Sequence, residues 1–350
     1  MKVLRYFPLY SPNEREIAKI ETTLIVADLR KDNSKIALFS TKNGDLKIEK
    51  EKVYPTFEFN SLSELIQLFI SEHQISGVKI LSISAPGPVM LDKCETPNLP
   101  WSIDTKKLQT EIGFDKISLI NDLKATAYSL ADSKEDTLEI IHKAETEIGG
   151  NVAILAPGNG LGEAGLFHDG KALHPFSSEG GHTEFSPRND FEVDFYQFLN
   201  KIYGIVTWEK ALSKEGLHNI YRFLRDVGRH EEQPWLTERL QKEDFVSVIC
   251  SVAKEKSSRL VNLTVEMFLE FLAREANNLV LKLKATGGLI ITGEITDLLF
   301  DLIDKKLFYK NFLISDQMEN LLKDTSIYIL RSENSSLEGA AYFGAFIDNH

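Results

Sequence analysis

The apolar and polar positions of the first half alternate in short blocks, and each block predicts one element. Thr22–Leu29 is an apolar run of strand length, and Lys35–Ser40 and Lys47–Val53 follow it with strand periodicity. Asn43-Gly44 between the last two predicts a type I′ hairpin, because both central positions of that turn need positive φ. Ser61 with Glu64 reads as a capping box. Leu65, Leu68 and Phe69 supply the apolar stripe of the helix behind it, and Gly77 ends that segment. Val78–Ser84 is a buried strand. Thr105–Ile112 is a helix stopped by Gly113, Ile117–Ile120 a strand, and Leu123–Leu130 a helix. The order is βββαβαβα.

The second half repeats that order loosely. Val152–Ala156, Gly165–His168 and Ala172–His174 read as a meander with an Asp169-Gly170 turn. A helical stretch runs from Phe191 to Leu283. Leu289–Thr292 is a buried strand, helices follow near Asp297–Phe308 and Gln317–Leu322, Ser326–Leu330 is a strand, and Leu337–Ile347 closes the chain as a helix. Two such halves fit an α/β chain with the duplicated ribonuclease-H-like, actin-like ATPase fold: two domains around a central cleft. The boundaries drawn are 1–122 plus 337–350 for a small domain and 123–336 for a large one. The length of 350 residues accommodates two cores at ~150 residues each.

Composition narrows the function. The chain is 43% hydrophobic and 26% charged, as for ordinary globular proteins. Its net charge of −12, from 40 basic and 52 acidic residues, opposes a nucleic-acid partner. Cys94 and Cys250 lie far apart and read as buried thiols in a reducing compartment. Residues 1–16 have no apolar signal-peptide core, and no apolar run reaches the ~20 residues of a membrane span. A cytoplasmic protein without membrane contact is expected.

Five segments could carry chemistry. Asn121-Asp122 lies where a strand gives way to a helix, so one of the pair reads as an N-cap and Asp122 as a carboxylate able to accept a hydroxyl proton. Ala156-Pro157-Gly158-Asn159-Gly160-Leu161-Gly162 is either a tight turn between paired strands or an anion cradle of converging N–H groups. Ser178-Glu179-Gly180-Gly181-His182-Thr183-Glu184-Phe185 flanks close-approach glycines with Glu179 and His182. Those side chains are either structural or ligand-binding. Glu209 opens a helix, and Gly287-Gly288 precedes the strand at Leu289.

Together with Pro97-Asn98-Leu99-Pro100-Trp101, these strings resemble the bacterial glucokinase family in order and spacing from about residue 22 onward. The resemblance implies transfer of the γ-phosphoryl group of ATP, carried with Mg2+, to the 6-hydroxyl of glucose or a related hexose. It implies Asp122 as base, with Asn98, Asn121, Glu179, His182 and Glu209 on the sugar. Asp28, Asn33, Gly158, Asn159, Gly160, Gly162, Gly287 and Gly288 would serve the nucleotide. It also implies a homodimer and no protein-bound metal.

One segment departs from the family. Its first phosphate loop has the form Asp-x-Gly-Gly-Thr-Asn-x-Arg, whereas this chain has Asp28-Leu29-Arg30-Lys31-Asp32-Asn33-Ser34-Lys35. Asp28 and Asn33 remain and both glycines are gone. Arg30, Lys31 and Lys35 are then expected to offer charged donors to phosphate. The alternative is a sugar-sensing pseudokinase with an intact hydroxyl cage. Residues 1–20, with Tyr6, Pro8 and Tyr10, stand outside the family pattern.

Overall fold

The structure is a computed structural model and describes residues 7–11, 17–131 and 138–348. The chain divides into two compact units. The first lies within 1–135, 169–177 and 332–350, the second within 136–168 and 178–331.

In the first unit the strands are β1 (Thr23–Asp28), β2 (Asn33–Lys42), β3 (Asp45–Pro55), β4 (Ile80–Ala85) and β5 (Lys116–Asn121), in the sheet order β3-β2-β1-β4-β5. β1 pairs antiparallel with β2 and parallel with β4, and β4 pairs parallel with β5. The β2–β3 hairpin turns at Asn43 (φ 57°) and Gly44 (φ 86°), as the Asn-Gly pair predicts. In the capping box, Ser61 Oγ accepts from Glu64 N at 3.2 Å. The returning bond goes one residue earlier than usual, from Asn60 N to Glu64 Oε2 at 2.9 Å. Register sets Asp28 opposite Ser84, Ser84 opposite Ile120 and Ala85 opposite Asn121. The carboxyl ends of the parallel strands β1, β4 and β5 therefore finish level, which is where ligands gather in open α/β sheets.

The closing helix, Ser335–Tyr342, packs in this unit: Ala340 O accepts from Ser82 Oγ at 2.7 Å, and Tyr342 stacks on Tyr128 at 6.4 Å. The helix Asp122–Ser129 lies in the same unit, so the division falls later along the chain than the 122/123 boundary drawn from sequence. Part of the extension is also pinned here. Tyr10 N donates to Leu173 O at 2.9 Å, Leu173 N donates to Pro8 O at 2.8 Å, and Tyr10 stacks on His174 at 4.6 Å. Tyr6 lies outside the described residues.

The second unit holds β6 (Leu138–His142), β7 (Val152–Pro157), β8 (Leu161–His168), β9 (Gly288–Ile291) and β10 (Ile327–Leu330), ordered β8-β7-β9-β10-β6. β8-β7-β9-β10 repeats β2-β1-β4-β5: an antiparallel hairpin partner, then parallel strands. This is the duplication expected from element order. The edge strand β6, antiparallel to β10, falls where no strand was predicted. The stretch read as helical resolves into five helices, the longest Arg259–Leu283. Both cysteines are buried and neither forms a disulfide. No described helix is long and apolar enough to cross a membrane.

Candidate active site

At the end of β5 the two polar residues divide their work. Asn121 is the N-cap: its Oδ1 accepts from Leu123 N (3.0 Å) and Lys124 N (3.1 Å), and its Nδ2 donates to Gly87 O (3.1 Å). Asp122, the first helical residue, accepts from Leu123 N through Oδ1 at 2.8 Å. Burial pushes its carboxyl up to about 6. The Leu123 bond opposes the shift, the Asp28 charge adds to it, and Arg30 counters it. Asp122 is thus a carboxylate at neutral pH that binds a proton more readily than an exposed aspartate. Asn98 is exposed in the loop beside Gly87, with its N donating to Thr96 Oγ1 at 3.2 Å.

Asp28 ends β1, two strands from Asn121, about 10 Å at ordinary strand spacing. It is 1% exposed. Its Oδ1 accepts from Ser336 Oγ at 2.8 Å and its Oδ2 from Arg30 Nε at 2.8 Å. Arg30 also donates through Nη2 to Glu333 O at 2.9 Å, and Lys35 Nζ donates to Asn334 Oδ1 at 2.6 Å. The structure therefore gives two of the three expected phosphate donors, Arg30 and Lys35, partners within the protein. Arg30 neutralises a buried carboxylate, and Lys35 ties β2 to the segment before the closing helix. Ser34 Oγ accepts from Arg30 N at 3.3 Å, and Thr56 Oγ1 donates to Arg30 O at 2.7 Å, fixing the loop backbone. Asn33 and Lys31 are exposed.

The glycine-rich segment joins β7 to β8 as a tight hairpin, with Ala156 opposite Gly162 and Pro157 opposite Leu161. The tight-turn reading of this segment is the one the structure displays. Gly158 N donates to Gly160 O at 2.8 Å. A Cβ on Gly160 would stand 2.4 Å from Glu209 Oε2, which accepts from Leu161 N at 3.1 Å. Gly293 (φ 101°), just past β9, completes the approach: its Cβ would lie 2.6 Å from Pro157 O. Gly287 and Gly288 do not join this loop. They begin β9 at its far end, where a Gly287 Cβ would stand 2.3 Å from Gly150 O and Gly288 lies opposite Val152. Those two glycines are explained by backbone packing.

The structure brings Glu209 to the segment that carries Glu179 and His182. Phe185 N donates to Val206 O and Trp208 N to Thr183 O, both at 2.9 Å, with a Glu184–Thr207 bridge between them. Phe185, Trp208 and Phe271 pack edge to face below, under the Arg274 guanidinium. Glu179 and His182 are exposed at the ends of the Gly180-Gly181 turn, and Glu209 is half-buried. Sequence reading missed Ser336 and Glu163. Glu163 had a signal: it is the lone acid in the strand Leu161–His168, whose other residues up to Phe167 are apolar or small. Among the described residues no group of three His, Cys, Asp or Glu side chains is placed to hold a metal ion.

Comparison with known proteins shows the family and the fold. The glucokinase family model matches residues 25–346. A glucokinase of Nostoc punctiforme is 30% identical over 93% of this chain and 99% of its own. One of Neisseria meningitidis is 27% identical over 93% and 95%. Among solved structures, a glucokinase from an Antarctic psychrotroph superposes with a TM-score of 0.77 at 22% identity, covering 92% of this chain and 98% of that one. A glucokinase of Balamuthia mandrillaris, solved in complex with glucose, gives 0.73 at 18% identity over 93% and 94%. The fold is the duplicated, actin-like ATPase fold of these neighbours.

Proposed function

The chain belongs to the glucokinase family and is a sugar kinase; from that premise we propose that it moves the γ-phosphoryl group of ATP to the 6-hydroxyl of glucose, with Asp122 as general base. The observation that carries this reading is the Asp122 carboxyl at the end of β5, desolvated enough to titrate at about 6. The 6-hydroxyl donates to that carboxylate. As its oxygen bonds to the γ-phosphorus, the proton passes to Asp122, the bond to the β–γ bridging oxygen breaks, and ADP leaves.

Glu179, His182 and Glu209 accept or donate to the other hydroxyls, joined by Asn98 and by the amide hydrogen of Asn121 that its cap and the Gly87 bond leave over. The nucleotide lies against Gly158, Asn159, Gly160 and Gly162, with Asp28 and Asn33 on the other loop and magnesium accompanying the phosphates. What supports this part of the reading is the tight Pro157–Leu161 turn, where an added Cβ on Gly158 would meet nothing within 4 Å, so its backbone is open to a ligand. Gly287 and Gly288 are not part of it. The family resemblance extends the proposal to a cytoplasmic homodimer.

Asp122→Asn tests the base. Its shape is kept and its basic oxygen lost, so turnover falls ~100- to 10,000-fold. The active form is the carboxylate, so wild-type kcat/KM is lost as pH falls through about 6. A variant with near wild-type turnover removes Asp122 from the role.

A further inference from the structure

Beneath the turn of Glu179 and His182 lies the carboxyl group of Glu163, and against it a second acid, Glu275; phosphoryl transfer uses neither. Glu163 is 1% exposed and Glu275 is fully buried. Glu275 is well supplied with donors: Asn278 Nδ2 reaches its Oε2 at 2.7 Å and Lys282 Nζ its Oε1 at 3.0 Å. Glu163 is not, for its Oε1 meets no hydrogen-bond donor among the described residues. Its other oxygen, Oε2, stands 2.0 Å from where a Gly180 Cβ would be, so the turn rests directly on this carboxyl. The strand and turn are also stitched there, with Ser178 Oγ donating to Glu163 O at 3.0 Å and Gly180 N donating to Ser178 Oγ at 3.3 Å.

One lysine, partly in solvent, faces two buried acids. Two carboxylates in such a place cannot both ionise without a large penalty, and the pair is relieved by keeping one proton between them. We propose that Glu163 is a positioning residue for the sugar-binding turn: it shares a proton with Glu275 and gives Gly180 a neutral, hydrogen-bonded floor. Burial, and then the Glu275 charge, push Glu163 up to about 8, while Lys282 opposes them. The titratable groups of the elements around it are Glu275 and Lys282 on the helix Arg259–Leu283, Glu179 and His182 at the ends of the turn, and Glu209 at Leu161 N. Above about pH 8 the proton leaves, two like charges face each other, and the turn shifts.

The inference rests on the proposed sugar role of this turn, so the test reports on each separately. Glucose affinity is measured by calorimetry from pH 6 to pH 10 for wild type, Glu163→Gln, Glu163→Leu and Glu179→Ala. Wild type should lose about tenfold or more in affinity as pH rises through about 8. Glu163→Gln, neutral and still a donor, should stay flat. Glu163→Leu should bind about 10- to 100-fold more weakly at every pH. An alkaline loss as large in Glu163→Gln as in wild type, or normal affinity in Glu163→Leu, overturns the proposal. Unchanged affinity in Glu179→Ala sinks the sugar role of the turn instead. Thermal unfolding then still reports on the shared proton. A folded value raised to about 8 gives stability that is full below the ordinary carboxylate range and lost as pH rises to about 8. That component is absent from Glu163→Gln if the proton is shared, and a wild-type slope in this variant overturns the sharing.

Discussion

The two loops that close β-hairpins on the sequence-predicted nucleotide side are built on opposite principles. Pro157–Leu161 relies on missing side chains: Glu209 stands where a Gly160 Cβ would be, and Pro157 O where a Gly293 Cβ would be. Leu29–Ser34 has no glycine and is held by its side chains, with Arg30 on Asp28 and Ser34 and Thr56 on the Arg30 backbone. A loop shaped by close backbone contact tolerates no added atom. A loop shaped by an ion pair tolerates bulk but depends on its partners. The two should therefore fail differently.

The largest effect is expected at Gly293→Ala, which adds a Cβ against backbone at a φ of 101° and should cost about 2–4 kcal/mol in denaturant unfolding. An unfolding midpoint equal to wild type would show that the Pro157 turn moves aside freely. Next is Arg30→Ala, which strips the buried Asp28 carboxylate of the cation paired with it. Because that cation is half in solvent, the expected loss is about 1–2 kcal/mol. Placing Gly at both Arg30 and Lys31 should lose as much stability and gain no turnover with ATP and glucose. A gain of activity over an inactive wild type would favour the sugar sensor over the kinase.

Gly160→Ala sharpens the comparison further. The atom it meets is the far end of a flexible carboxylate, so stability should fall by only about 0.5–1 kcal/mol. Glucose affinity should fall about 5-fold or more, because Glu209 must leave its bond to Leu161 N. Unchanged affinity would separate Glu209 from the sugar. The smallest effect is Lys35→Ala, where one half-buried bond to Asn334 is lost at a cost of about 0.5 kcal/mol.

Much of the fold was legible along the chain. The apolar runs of β1, β4, β7 and β9, the Asn43-Gly44 turn, the Ser61 cap and the Gly113 stop each depend on neighbouring residues and their φ preferences. The strings around Asp122, Gly158, Glu179 and Glu209 were legible for the same reason, since each is contiguous. Tertiary structure alone decided the partners. Arg30 meets Glu333, 303 residues away, and Asp28 meets Ser336, 308 away. Strand direction likewise decided which glycine packs on the Pro157 turn: Gly287-Gly288 begins β9 and Gly293 follows its end. Glu163 became a buried acid against Glu275, more than 100 residues away in sequence, only when a strand and a helix were packed together. Periodicity and turn chemistry are local and survive in the sequence. The neighbour of a charged side chain is set by which distant segments share a core, and no local pattern encodes that.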